Sequence, residues 1–324
     1  MTTWLFRRLL QAAMVVLAMT IIVFVGLHVV GDPVTTFAPP EATQADLARI
    51  RENLGLDRPF ALQYVSFLSD LVRGDLGTSY VYGVPALELV LSRMPATFEL
   101  AATAMAISIV IGIGLGIYCG LYPEKSVSRA IMAGSIFGFS LPTFWVGIML
   151  IMLFSVELGW LPSGGRGETV TVLGLRWSFL TWDGLAHLLL PAINLALFKM
   201  SLLLRLTRAI VRETLPKDYV KFARAKGLPE RRVLGVHVLK NIMIPIVTII
   251  GLELGSVVAF AVVTETVFAW PGMGKLIIDS IQILDRPVIL AYLIIIVLMF
   301  VVLNLIVDIL YAVLDPRVRQ GMMS

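Results

Sequence analysis

One cysteine and three histidines are all that 324 residues offer for disulfide or metal chemistry. Cys119 has no partner in the chain for a disulfide and reads as a small apolar filler. His28, His187 and His237 share no metal-ligand spacing, and there is no H-E-x-x-H string, so no metal site is assigned and an intramembrane metalloprotease is unsupported. Serine, histidine and aspartate occur only as scattered residues. Gly272-Met273-Gly274-Lys275-Leu276 has a superficial likeness to a phosphate loop, but lacks the first Gly at the right distance and the Ser or Thr after Lys. No catalytic residue and no cofactor of its own are therefore expected, nucleic acid is not among the expected partners, and any nucleotide hydrolysis has to come from another subunit.

Charge is scarce too. Charged residues make up 15% of the chain and hydrophobic ones 58%, with a mean hydropathy of +0.89, where a soluble domain carries about 25% charged residues. Apolar runs of about 20 residues are long enough to cross a bilayer as helices. Six are read: Leu9 to Val30, Phe98 to Leu121, Ala130 to Leu158, Leu185 to Leu204, Ile242 to Val263 and Val288 to Val313. The first follows Arg7-Arg8 but exceeds a secretory h-region and has no small-x-small cleavage site, so it reads as an uncleaved anchor. The expectation is an all-α, polytopic protein in three parts. These are a tail and first span (1–30), an extracytoplasmic loop with short amphipathic helices (31–97), and a five-helix core (98–324).

Lys and Arg set the orientation. With the N-terminus inside, the inner segments hold 16 of the 26 basic residues, and the even span number puts both termini in the cytoplasm. In the long outer loop, Thr43-Gln44-Ala45-Asp46 offers an N-cap box ahead of Leu47, Ile50 and Leu54, and Phe60 to Val72 is a second amphipathic stretch. Trp160, Trp177, Trp182 and Trp270 fall at or beside outer span ends, where interfacial anchoring suits them better than substrate stacking. Gly112, Gly116 and Gly120 recur every four residues, as do Gly251, Gly255 and Ala259, which reads as close helix packing. Pro142 and Pro191 mark kinks against neighbouring helices or a water-lined path. Lys199, Glu253 and Asp308 are costly in lipid and must face protein or water. Lys199 and Glu253 lie near mid-depth and read equally as a structural ion pair or as part of a polar substrate route, on which Asn194 is also placed. Asp308 reads as a structural hydrogen-bonding group.

The segment from Arg205 to Asn241 carries ten Lys or Arg against three Asp or Glu. Within it, Asp218-Tyr219-Val220-Lys221-Phe222-Ala223-Arg224-Ala225-Lys226-Gly227 reads as a short helix ending at a glycine that permits positive φ. Small Ala223 and Ala225 allow close approach, and Lys221, Arg224 and Lys226 can reach acidic rims. Membrane topology alone needs no such Ala/Gly pattern, so a docking surface for a cytoplasmic partner is expected at 205–241.

Strings along nearly the whole chain resemble one family. They are Gly31-Asp32-Pro33, Leu54-Gly55-Leu56-Asp57-Arg58-Pro59, Gly74-Asp75-Leu76-Gly77, Ser140-Leu141-Pro142-Thr143-Phe144-Trp145, Leu158-Gly159-Trp160-Leu161-Pro162, Ala223-Arg224-Ala225-Lys226-Gly227, Glu265-Thr266-Val267-Phe268-Ala269-Trp270-Pro271-Gly272-Met273-Gly274, and the segment from Asp308 through Tyr311 to Asp315-Pro316-Arg317. In this order and spacing the chain resembles the permease subunit of a bacterial ABC importer of the dipeptide/oligopeptide group, the first of its two permeases. In the general ABC-importer loop, Ala223 and Gly227 fit, while Lys221 stands where Glu is usual, Phe222 where the first Ala is, and Lys240 where Pro is.

The resemblance implies a type I importer permease fold in the bacterial inner membrane. It also implies a heterodimer with a second homologous permease, two cytoplasmic ATPase subunits carrying ATP and Mg, and an extracytoplasmic substrate-binding protein. It makes Tyr219, Phe222, Ala223, Arg224, Ala225, Lys226 and Gly227 the ATPase-coupling element, and alternating access the mechanism. The group carries dipeptides, oligopeptides, glutathione, nickel complexes, opines or oligosaccharides, and peptide is the expected cargo. A stand-alone gradient-driven carrier is opposed by the single concentrated basic loop and the lack of a visible repeat. A receptor-like protein is opposed by the mid-span charges.

Overall fold

The computed structural model describes residues 2–29, 43–53 and 57–314. The strings at Gly31-Asp32-Pro33, Leu54-Gly55-Leu56 and Asp315-Pro316-Arg317, and the side chains of His28, Asp308 and Tyr311, lie outside what is described. The chain is almost wholly helical. In order, α1 is Thr2–Val29, α2 Gln44–Asn53, α3 Phe60–Val72, α4 Ala86–Leu121, α5 Ser126–Ser140, α6 Thr143–Glu157, α7 Trp182–Thr214, α8 Asp218–Ala225, α9 Glu230–Val267, α10 Met273–Gln282 and α11 Arg286–Leu314. Between α6 and α7 a hairpin pairs β1 (Val170–Val172) with β2 (Leu175–Trp177), antiparallel with Thr171 opposite Arg176. Its two-residue turn, Leu173-Gly174, has positive φ at both positions, the geometry that matches strand twist.

Among the described residues four helices are long and apolar enough to cross a membrane: α4, α7, α9 and α11. A fifth span is met if α5 and α6 count as one. In α1 the apolar stretch is the shorter Leu10–Gly26. Three sequence expectations change. The third run is not one helix, because α5 and α6 meet at 107°. Leu141 and Pro142 are extended there, as proline imposes on the residue before it. Second, α4 begins twelve residues before the expected Phe98, and a π-helical segment, Ser108–Ile113, interrupts it. Third, α7 and α9 run far beyond their apolar cores, leaving only residues 215–229, with α8 at their centre, between them.

The chain forms two compact units, Met1–Ser92 with Asp279–Val302, and Arg93–Ile278 with Leu303–Ser324. In the first, α3 packs on α1 through Phe24 against Phe60, Tyr64 and Phe67, with ring centroids 5.0–5.5 Å apart. Thr20 and Tyr64 hydroxyls add a 2.9 Å hydrogen bond. The N-cap box of α2 forms as expected: Asp46 accepts from the Thr43 amide at 3.0 Å and hydroxyl at 2.7 Å. These bonds hold the exposed Asp46 carboxyl below its ordinary range.

In the second unit, α4 and α7 are in close contact along the glycine stripe. A Cβ on Gly112 would stand 2.9 Å from the Met200 carbonyl oxygen, on Gly116 2.6 Å from Thr207 Cβ, and on Gly120 2.6 Å from a Val211 methyl. Gly251 lies similarly against Val307, while Ala259 is exposed. Cys119 is buried, with its thiol 3.8 Å from the Ser128 carbonyl.

Candidate functional site

The basic segment is a continuation of two long helices closed by α8. Apolar positions on α7, α8 and α9 meet in one buried cluster of Val211, Val220, Ala223, Val233, Val238, Ile242 and Ile246. Ala223, expected on the outward docking face, is turned into this cluster with 4% of its surface exposed. Its smallness lets α8 sit close to its own bundle. Tyr219, Phe222, Arg224 and Ala225 on α8, and Lys226 and Gly227 in the turn after it, are all exposed. Phe222 is 61% exposed, a large apolar side chain in an otherwise charged loop, and Lys226 lies over its ring at 4.6 Å. The chain reverses at Gly227, with φ +73°, where a side chain is disfavoured. Three neighbouring cations have acidic partners within the loop: Lys217 with Glu213 at 3.1 Å, Lys221 with Asp218 at 3.1 Å, and Arg224 with Glu230 at 2.7 Å.

Lys199 and Glu253 do meet. The Lys199 ammonium donates to Glu253 Oε2 and, at 2.7 Å, to the Ser256 hydroxyl. It also lies 5.6 Å from the Phe198 ring and 5.3 Å from the Phe260 ring. Ser256 completes the triangle with a 2.8 Å bond to the same carboxylate oxygen. Asn194 is apart from this group: its amide donates to Thr264 at 3.0 Å, and its buried carbonyl oxygen has no partner among the described residues.

Two buried carboxylates matter here to which the sequence patterns assign no role of their own. Glu99 on α4 accepts from Arg166 at 2.6 Å and from the amides of Ser178 and Phe179 at 2.6 and 3.1 Å, tying the hairpin segment to the helix. Glu265 on α9 accepts from the Thr97 hydroxyl at 2.7 Å and the Lys275 amide at 3.0 Å. A Cβ on Gly272 would fall within van der Waals overlap of that carboxylate, so the glycines of the apparent phosphate loop make room for a carboxylate that caps α10. Trp270, expected as an interfacial anchor, is instead fully buried and donates from Nε1 to the Ala96 carbonyl at 2.9 Å. Trp160 and Trp182 are exposed. A carboxylate one turn before a Trp-Pro-Gly reversal is the available sequence signal for Glu265. Nothing in the sequence around Glu99 points to Arg166.

Residues 112–320 match the family described as binding-protein-dependent transport system inner membrane component, and residues 1–101 match the N-terminal membrane component of the same systems. The oligopeptide transport system permease protein AppB of Bacillus subtilis (strain 168) is 40% identical over 321 residues, covering 98% of this chain and 100% of the relative. The probable D,D-dipeptide transport system permease protein DdpB of Escherichia coli (strain K12) is 39% identical over 337 residues, covering 99% of each. The glutathione transport system permease protein GsiC of Escherichia coli O6:H1 is 36% identical, covering 98% and 99%. An inward-facing structure of the MetNI methionine ABC transporter superposes with a TM-score of 0.56 at 15% identity, over 70% of this chain and 96% of that one, a likeness of fold.

Proposed function

The chain belongs to the family of binding-protein-dependent transport system inner membrane components, and from that membership we propose that it is the first of two permeases in a peptide importer, coupled to its ATPases through α8. As a family member it is a multi-pass inner-membrane permease with no catalysis of its own, and the family implies ATPase subunits and a binding protein as its company. The proposal adds the cargo, a di- or oligopeptide, on the strength of relatives named for oligopeptide and D,D-dipeptide transport. It adds a non-identical permease partner, two ATPases carrying ATP and Mg, and cytoplasmic termini. It keeps the division at residues 30 and 97 as the functional one, and places Lys199, Glu253 and Asn194 on the translocation route.

The observation that carries the coupling role is the outward face of α8. A helix of eight residues is anchored by Val220 and Ala223 to its own bundle and presents Tyr219, Phe222 and Lys226 beyond it. It stands at the junction of two long helices, α7 and α9, so a push on Phe222 acts on both. Phe222→Asp leaves the anchoring cluster intact, and Gly227→Val costs about 1–3 kcal/mol of local strain at a place where nothing lies within 4 Å of a new Cβ. Both variants are expected to insert normally yet lose ATPase subunits, or hydrolyse ATP without moving peptide. Pull-down of the ATPases and peptide uptake into vesicles supplied with binding protein and ATP measure this. Parental retention and uptake in both variants would remove α8 from the coupling role.

A further inference from the structure

We propose that a strip on the second unit, with a carboxylate oxygen that no described residue hydrogen-bonds at one end and a guanidinium with no carboxylate partner among the described residues at the other, receives the two termini of a zwitterionic, peptide-like cargo. Glu253 takes the ammonium and Arg205 the carboxylate. The proposal rests on the reading of Lys199 and Glu253 as route residues.

The ion pair is not symmetric. Glu253 spends Oε2 on both Lys199 and Ser256, and among the described residues no hydrogen bond engages Oε1. The Lys199 side chain is 4% exposed and that of Glu253 20%. What the pair presents outward is thus a carboxylate oxygen, with the buried ammonium holding it in place. Beside it the Phe260 ring is 58% exposed, a face that attracts a cation. Lipid is a poor occupant for this face, since an open carboxylate oxygen at mid-span is costly in hydrocarbon.

From there the rings continue. Phe260 lies 6.4 Å from Phe198, and Phe198 stacks on Phe139 at 4.4 Å. Over Phe139, at 4.4 Å, lies the guanidinium of Arg205. Its Nε donates to the Ser201 carbonyl at 3.3 Å, and among the described residues no carboxylate pairs with it. Its terminal amines are left to bind a carboxylate, which Arg does in a two-point geometry. Six residues of helix separate Lys199 from Arg205, about 9 Å of rise. This is a backbone separation, and an extended chain covers about 3.3–3.6 Å per residue, so a peptide of two or three residues is the size of cargo that matches it, with aromatic rings beneath the side chains.

The test is saturation-transfer NMR on the purified permease–ATPase complex without binding protein, using trialanine, N-acetyl-trialanine and trialanine amide as probes. Blocking either terminus is expected to weaken binding tenfold or more in the parent. Arg205→Gln should bind acid and amide alike while still rejecting the acetylated form. Phe260→Ala should weaken all three and leave the ion pair in place. Glu253→Gln should lose discrimination against acetylation, and because that change leaves Lys199 uncompensated, the Arg205 and Phe260 variants are the decisive ones. Equal binding of all three probes to the parent, or unchanged selectivity in Arg205→Gln, overturns the proposal. ATP-driven uptake of trialanine by the full system is measured alongside. Uptake without terminal discrimination at the strip sinks this inference alone, and absence of peptide uptake sinks the cargo reading and this inference with it.

Discussion

Lys199 is held by a carboxylate, a hydroxyl and two aromatic rings, and each removal has a different consequence. Lys199→Met strands Glu253 in a low-dielectric site, a loss of about 3–5 kcal/mol when a buried pair is broken from one side. Lys199→Met combined with Glu253→Gln removes both charges and is expected to recover most of that loss, read as the unfolding midpoint of the purified complex in detergent. Small, additive effects would mean that the two charges do not depend on each other. Gly116 gives a second residue-scale expectation. Gly116→Val pushes its new atoms into Thr207 and the Leu204 carbonyl, so over-packing of about 1–3 kcal/mol follows. Gly114→Ala, where nothing lies within 4 Å, should be neutral.

At the scale of elements, α8 separates two kinds of damage that a sequence cannot tell apart. Ala223→Asp buries a charge among Val211, Val220 and Ile242 and is expected to prevent accumulation of the protein. Phe222→Asp, one residue away, should leave protein levels unchanged while uncoupling transport. Quantitative immunoblotting of membranes beside the uptake assay distinguishes them, and equal protein levels in both would refute the inward placement of Ala223. This pair also marks how far the sequence is legible. The Ala/Gly pattern identifies the element and its terminal positive φ, but a small residue suits close approach to one's own helices as well as to a partner's. The long reach of α7 is hidden for another reason. A hydropathy window stops at Arg205, whereas the helix continues as an amphipathic one, burying Thr207, Val211 and Thr214 while Arg212 is exposed. The break between α5 and α6 is half visible: Pro142 announces a kink, but its size depends on both Leu141 and Pro142 being extended.

For the whole molecule, the distribution of Lys and Arg is enough to propose an orientation, and labelling tests it. In a Cys119→Ser background, single cysteines at Ser66 on α3 and Lys226 after α8, both exposed positions, should react with membrane-impermeant maleimide from opposite sides. Labelling of both from the same side would reject the proposed topology. The buried network at Glu99, Arg166 and Ser178 lies beyond the reach of sequence patterns because Arg166 and Ser178 are 67 and 79 residues from Glu99, and no local periodicity reports a pairing at that range.

The glycine stripe has a mechanical consequence. Backbone contact with α4 stiffens α7 between Met200 and Val211, within a continuous helix of 33 residues that includes Pro191 and is about 50 Å long. Its N-terminal end is pinned, since Thr181 caps it at 2.9 Å and Gly184 is wedged against the Ser178 and Glu168 carbonyls. Lys199 sits near the middle and α8 at the far end. A hydrogen bond of 2.7 Å to Ser256 does not survive an extra ångström. Because α8 joins α7 to α9, only a displacement of one helix against the other parts Lys199 from Glu253 and Ser256, and the stretch of α7 that transmits it is stiffened by residues that carry no side chain at all.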